Sequence, residues 1–257
     1  MNKKSYELNL SDTHYVTPHG LDSDEHFTTA LDLARLTDYA LNNETFAKIV
    51  KTKTYTILIN NQPKSISNTN ELLGNFEGIY GVKTGFTNGA NRCLVTSCKR
   101  DNLDYICIVL GCDTKKDRTR DSIKLLDYSF KNFSVVDFKK IATSRFDEWN
   151  ESHNNSFFIN KGKSQNLNLY LDESDFPFEN IALKNSEKDS IDIEIDFNFS
   201  FEAPICEKTK IGNLHLYVNE KKYYSIDIFN KNEITRKSII DYILHILMNY
   251  CSFFDTL

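Results

Sequence analysis

The run Gly81-Val82-Lys83-Thr84-Gly85-Phe86-Thr87 puts a cation, a hydroxyl and two glycines into one extended stretch. Turn signals at 75–78 and at Asn88-Gly89 bracket it, so it reads as a short strand. Side chains alternate along a strand, so Lys83 and Thr84 point to opposite sides, while Gly85 leaves the backbone open for something to lie against it. Such a strand can hold an extended peptide. It can equally be a surface strand with a solvated lysine, and Lys-Thr-Gly by itself does not choose between the two.

A second group with possible chemistry is the cysteines. Cys93/Cys98 and Cys107/Cys112 have C-x4-C spacing on what read as paired strands, and Cys206 and Cys251 stand apart. A metal site, disulfides and buried free thiols are all open to such a set. No C-x-x-C knuckle is present and the six histidines lie outside this hairpin, so buried free thiols are the expected state, with no metal and no cofactor.

The elements that position these groups follow from periodicity. Thr29-Ala30-Leu31-Asp32 has capping-box form, and Leu33, Leu36 and Ala40 recur at i, i+3 and i+7 up to Asn42-Asn43. A short helix over 44–50 is expected to bury Phe46, Ile49 and Val50, and a strand over 54–59 to end at Asn60-Asn61-Gln62-Pro63. Residues 5–22 lack a regular apolar period and contain the loop signal Thr17-Pro18-His19-Gly20. After the Lys83 strand, 92–98 and 105–110 form a hairpin about Lys99-Arg100-Asp101-Asn102. Its second arm, nearly all apolar, belongs in the middle of a sheet. Asp113 can cap the next helix, whose Ile123, Leu126 and Phe130 stripe packs on that sheet.

From Ser134 the texture changes to short strands between polar clusters. In 191–201 the six odd positions are apolar and the five even ones polar, a half-buried strand; 214–218 and 223–228 make a hairpin across Asn219-Glu220. These spaced strands predict a small all-β domain, in which His215 takes a solvated position. In 234–254, Ile239, Ile243, Ile246, Leu247 and Tyr250 line one side of a helix, opposite Lys237, Asp241, His245 and Asn249. That helix suits a membrane interface, or packing on its own protein or a partner.

Composition bounds the rest. With 40% hydrophobic and 26% charged residues over 257 positions, one or two packed domains are expected. A net charge of -5 without a basic block excludes nucleic acid as a partner. Met1-Asn2-Lys3-Lys4 has no apolar stretch behind it and no run of 18 apolar residues occurs, so as written the chain carries no export signal and reads as cytoplasmic.

Together, several stretches resemble the low-molecular-mass penicillin-binding proteins, the serine D-alanyl-D-alanine carboxypeptidases. The likeness runs from Met1-Asn2-Lys3-Lys4 and 12–21 through His26-Phe27-Thr28-Thr29-Ala30, 68–74, Gly81-Val82-Lys83-Thr84-Gly85 and Leu125-Leu126-Asp127-Tyr128. Ala203-Pro204-Ile205 with Ile211-Gly212-Asn213-Leu214 resembles the family's β-rich C-terminal domain, and the terminal helix its membrane anchor. The resemblance implies an α+β protein: an incomplete penicillin-binding-protein/β-lactamase-like domain over 1–133, a β-rich domain over 134–230, and an anchor-like helix over 231–257.

It also implies acyl transfer on peptidoglycan stem peptides ending in D-Ala-D-Ala, in an exported, membrane-associated family. Lys83, Thr84 and Gly85 then fall in the catalytic Lys-Thr-Gly. Lys83 lends charge to the hydroxyl network, Thr84 hydrogen-bonds the terminal carboxylate, and Phe86 offers backbone to the peptide and an N–H to the oxyanion. Arg118, 35 residues on, falls where the family places an arginine for that carboxylate; read alone, it is an exposed helix arginine.

The departures are as informative. No serine in the 257 residues is followed three positions later by lysine, so the family's nucleophile motif is absent. The Ser-x-Asn strings Ser152-His153-Asn154 and Ser164-Gln165-Asn166 lie after Lys83, in the wrong order. Tyr80 stands where the family usually has an acidic residue, and Thr17 replaces a common asparagine. The chain therefore reads as the C-terminal part of a carboxypeptidase, whether a fragment, a decayed copy or half of a split protein, and β-lactams would react only if the rest were supplied. A non-catalytic envelope module that binds stem peptide or membrane, and a non-functional gene remnant, are the alternatives. Losing the covering elements would expose apolar area worth on the order of 10 kcal/mol, so 1–130 alone is expected to be marginal.

Overall fold

The computed structural model describes residues 1–153, 156–172, 174, 176 and 180–244. One unit covers Met1–Ser134 and a second begins at Val135. The first contains α1 (Asn2–Glu7), α2 (Ala30–Leu41), α3 (Glu44–Lys51), a hairpin of β1 (Thr54–Ile59) and β2 (Gln62–Ser67), an antiparallel sheet of β3 (Ile79–Thr87), β4 (Asn91–Arg100) and β5 (Leu103–Cys112), and α4 (Lys115–Asn132).

Three of these helices begin where a side chain can take a free amide: Thr29 accepts from Asp32 N, Asn43 from Phe46 N and Thr114 from Asp117 N. Thr114, not Asp113, is thus the cap of α4; its backbone is still extended while Lys115 is already helical. The end of α1 occupies part of the stretch expected to be irregular, and six residues are too few to show a period.

The strand order is β3-β4-β5, so β4 and not the apolar β5 is central. The apolar run of β5 has another cause: Cys107 and Val109 pack beneath Leu126 of α4 together with Leu94 and Cys98, while Leu110 reaches the surface. Centrality shows instead in the fully buried Thr96 and Ser97 of β4. Ile123 and Phe130 flank Leu126 in the same cluster, so the stripe read from sequence does face the sheet. The buried thiols Cys98 and Cys107 are free, as are the half-buried Cys93 and Cys112 and the exposed Cys206. Burial pushes the Cys107 thiol up to about 11. Cys251 lies outside the described residues.

Strand alternation puts Leu94 and Cys98 on the α4 side and Ser97 on the other. There Val50 of α3 closes on Gly81, so closely that a Cβ at Gly81 would stand 3.1 Å from Val50 Cγ2 and 3.2 Å from Ser97 Oγ. Gly81→Ala is therefore expected to cost about 1–2 kcal/mol through overpacking. Native-state hydrogen exchange of the β3 amides equal to that of the parent chain would refute this.

The hairpin departs from expectation. Asn60 and Asn61 take left-handed backbone (φ 49° and 63°) and turn the chain, so Gln62-Pro63 opens β2 instead of ending the structure. Ile49, expected to be buried, lines an open groove with Tyr55 and Ile66 and is 65% exposed.

β6 (Phe133–Asp137) runs across the boundary into the second unit, which holds α5 (Phe138–His153), β7 (Phe158–Asn160), β8 (Leu169–Leu171), β9 (Asn180–Lys184), β10 (Ile191–Phe197), β11 (Ser200–Glu202), β12 (Lys210–Val218) and β13 (Lys221–Asn230). Its main sheet runs β10-β12-β13-β8, with β6-β9 and the parallel β7-β11 as separate pairs. The helix α5 was not read from the sequence. Its Phe138, Ala142 and Phe146 enter the core at i, i+4 and i+8, ahead of the purely β stretch.

The strand expected over 191–201 breaks after Phe197, because 200–202 leave to pair with β7. Asn219 and Glu220 (φ 52° and 61°) make the expected hairpin turn. His215 is half-buried, not fully solvated, and its Nδ1 lies 2.8 Å from Ser225 Oγ. Ile234, placed in the terminal helix by the sequence, is buried and bridges Ile205; helical backbone begins at 239 and is described to 244. His245, Ile246, Leu247, Asn249 and Tyr250 lie outside the described residues. Among the described residues, no helix is long and apolar enough to cross a membrane.

Candidate functional site

The Lys83 strand is held by a short polar stretch before it. Asn70, almost fully buried, donates Nδ2 to the Gly81 carbonyl (2.8 Å), a carbonyl that also accepts from Thr96 Oγ1 (2.7 Å). Asn70 Oδ1 takes the Leu72 amide, and its own amide donates to Asn68 Oδ1. Asn68 in turn donates to the Val50 and Thr52 carbonyls. Two asparagines thus fix the start of β3 to the end of α3, and the residue between them, Thr69, is left facing the strand. Its Oγ1 is 2.7 Å from Thr84 Oγ1.

Thr84 pairs with Leu94 and so faces the α4 side of the sheet. Arg118 comes to that side from α4. It is not an exposed helix arginine: its side chain is 4% exposed, NH1 donates to the Cys93 carbonyl (3.4 Å), NH2 lies 3.9 Å from Glu71 Oε2, and Nε–H is buried with no partner. Cys93 is the cross-strand partner of Gly85, and Glu71 follows Thr69 by two residues. Contacts therefore link Thr84, Gly85 and Arg118 through Thr69, Glu71 and Cys93. A threonine hydroxyl and a buried guanidinium with a free Nε–H thus lie on one side of an edge strand.

Lys83 faces the other way, exposed, with Nζ donating to the Thr84 carbonyl at 2.5 Å. At Gly85 an added side chain would meet only Cys93 Cβ, 3.5 Å away, so the outer face of the strand is open there. Phe86 is half-exposed under the Arg92 guanidinium, 3.5 Å from the ring centre. Beyond it, Asp22 accepts from the Gly89 amide (3.1 Å), and a bond from the Thr87 hydroxyl, aided by this one, holds its carboxyl below the usual range. Tyr80 donates to Asp104 at 2.7 Å, and burial with this bond pushes its hydroxyl far up, so an acidic group does reach this position, from β5.

Thr69, Glu71 and the Cys93 carbonyl were missed from sequence. The signal for the first two lay in the 68–74 stretch, whose polar residues have a spacing that no apolar period explains. The two late Ser-x-Asn strings both belong to the second unit. Ser152 is on α5, Asn154 is outside the described residues, and Ser164 accepts from the Asn166 amide in the second unit. Among the described residues, no three His, Cys, Asp or Glu side chains converge as a metal site.

Residues 1–114 match the family described as D-alanyl-D-alanine carboxypeptidase, and 155–236 match the penicillin-binding protein 5 C-terminal domain. The chain is 27% identical to D-alanyl-D-alanine carboxypeptidase DacF of Bacillus subtilis (strain 168) over 98% of its own length and 62% of that protein. To D-alanyl-D-alanine carboxypeptidase DacC of Escherichia coli (strain K12) it is 37% identical, over 53% of this chain and 34% of the other. It thus spans 62% or less of these curated relatives. Its fold is similar to that of penicillin binding protein 5 from Haemophilus influenzae, with a TM-score of 0.62 and 22% identity over 91% of this chain and 64% of that one. With both matches in order along one chain, and the fold in agreement, residues 1–114 belong with the D-alanyl-D-alanine carboxypeptidase family and residues 155–236 with the C-terminal domain of penicillin-binding protein 5.

Proposed function

We propose that residues 1–134 supply the carboxylate-recognition wall of a D-alanyl-D-alanine carboxypeptidase acting in cell-wall metabolism, and that these 257 residues alone do not carry out the reaction. The observation that carries this reading is that Thr84 and buried Arg118 lie on one side of an open edge strand, with Thr69 bonded to Thr84 and Glu71, two residues on, paired with Arg118. A stem peptide laid antiparallel along β3 would place its terminal carboxylate between the Thr84 hydroxyl and the guanidinium, with its backbone passing Gly85 and Phe86. Lys83, on the other side, would lend positive charge to the hydroxyl network that a nucleophile needs.

That nucleophile is the missing part. No serine is followed three residues later by lysine, and the wall offers no serine of its own. Formation of an acyl-enzyme, by substrate or by a β-lactam, then requires a serine supplied from outside these residues. Exposed Ile239, Ile240 and Ile243 support docking of the C-terminal segment at a membrane surface.

The test is incubation of the purified chain with a fluorescent penicillin, followed by intact-mass measurement, with a full-length relative as positive control. The expected result is no adduct and no D-alanine release. A stoichiometric adduct would overturn the reading and point to an unconventional nucleophile near Lys83.

A further inference from the structure

Arg118 has a carboxylate partner within its own chain. A guanidinium is costly to bury unless something answers its charge. Among the described residues, the answering group is Glu71, whose Oε2 is 3.9 Å from NH2 and accepts the Thr119 hydroxyl at 2.8 Å. The Glu71 side chain is 46% exposed, so this carboxylate lies between the buried guanidinium and solvent. It is also two residues from Thr69, which is bonded to Thr84. A ligand carboxylate spanning Thr84 and Arg118 would bring a second negative charge to the place where Glu71 already is.

We propose that Glu71 is an internal competitor for Arg118: it pairs with the guanidinium while the site is empty and must turn away for a ligand carboxylate to engage. Glu71 thereby lowers the affinity of the wall for carboxylate-ended peptides. This inference rests on the reading that Thr84 and Arg118 take a terminal carboxylate. The half-exposed position makes the exchange feasible, since Glu71 can trade the Thr119 hydroxyl and a long ion pair for water at small cost. The Arg118 Nε–H, buried with no partner, is left over for the incoming group.

The experiment is a nitrogen-15 NMR titration of the full chain and of E71Q with N-acetyl-D-alanyl-D-alanine and with its C-terminal amide, following the Arg118 Nε–H and the Thr84 to Phe86 amides. Because the pair is long and its carboxylate half-exposed, E71Q is expected to bind the acid about fivefold more tightly, with amide binding unchanged. E71A, read the same way, serves if E71Q does not fold. Equal affinity of parent and variant for the acid would overturn the role of Glu71 and leave the recognition wall standing. If the parent binds acid and amide alike, and R118Q binds as the parent does, the wall itself is wrong and the inference falls with it.

Discussion

Asn70→Ala is expected to lower the stability of β3 by about 3 kcal/mol, because it removes one hydrogen bond to a carbonyl and orphans a buried amide. Asn70 is 3% exposed and reaches in two directions: Nδ2 to the Gly81 carbonyl and, at 3.3 Å, to Thr96 Oγ1, and Oδ1 to the Leu72 amide. Gly81 keeps its bond from Thr96, but Leu72 N–H, in a core turn that includes buried Leu72 and Leu73, has nothing to replace Oδ1. The alanine also leaves a void where the amide stood. The effect belongs to the first unit, so native-state hydrogen exchange of β3 amides is the proper readout, since a chain of two units has no single unfolding free energy. Ligand binding at Thr84 should weaken in parallel, because Thr69 is held between Asn68 and Asn70. Unchanged exchange in residues 81–86 would show that β4 alone fixes the strand.

Much of this frame was legible because local and tertiary demands agree. Thr29 caps α2 as its capping box implies, β3 runs between its two turns, and Ile123, Leu126 and Phe130 meet the sheet as their spacing requires. The misreadings arise where a long-range partner decides. Hydrophobicity placed β5 at the centre of the sheet, but its apolar residues answer to α4 above them, and β4 is central, with Ser97 fully buried and Thr96 buried against the Gly81 carbonyl. The break after Phe197 is invisible in an alternation that continues to Phe201, because only the pairing of β11 with β7 reveals it. Helix α5 hides behind low overall hydrophobicity, since three apolar residues at four-residue steps suffice once a sheet receives them.

The recognition wall was half legible. Lys83, Thr84 and Gly85 announce themselves as a motif, but the character of Arg118 does not: an arginine among Lys115, Lys116 and Arg120 looks like one more solvated charge. What buries it is the Cys93 carbonyl on β4, 25 residues away, together with Glu71. Charge alone would have assigned Arg118 and Arg120 the same role, yet Arg120 is spent on Asp117 and Asp121 at the surface.

Asp32 carries the other large expectation. It lies in the first turn of α2, 1% exposed, where its carboxylate accepts the Thr13 hydroxyl at 2.7 Å and the Asp12 amide at 3.0 Å, with Arg35 3.7 Å away. Those bonds fix the start of the segment that runs through Thr13, itself 2.9 Å from Thr28 Oγ1, to Asp22 on the Gly89 amide beside the end of β3. A carboxylate near a helix N-terminus also suits the dipole. Asp32→Ala is expected to cost about 3 kcal/mol, since it strips the Asp12 amide of its acceptor, leaves the buried Thr13 hydroxyl with Thr28 Oγ1 alone and opens a cavity. Asp32→Asn keeps the shape and one acceptor oxygen, so about 1–2 kcal/mol is expected there. Hydrogen exchange should locate the loss first at residues 12–28 and only then in α2, because the carboxylate holds the loop to the helix and not the helix to itself. If D32A exchanges in that loop as slowly as the parent chain, the anchor lies elsewhere, and the placement of Asp22 against the end of β3 must come from the loop's own contacts.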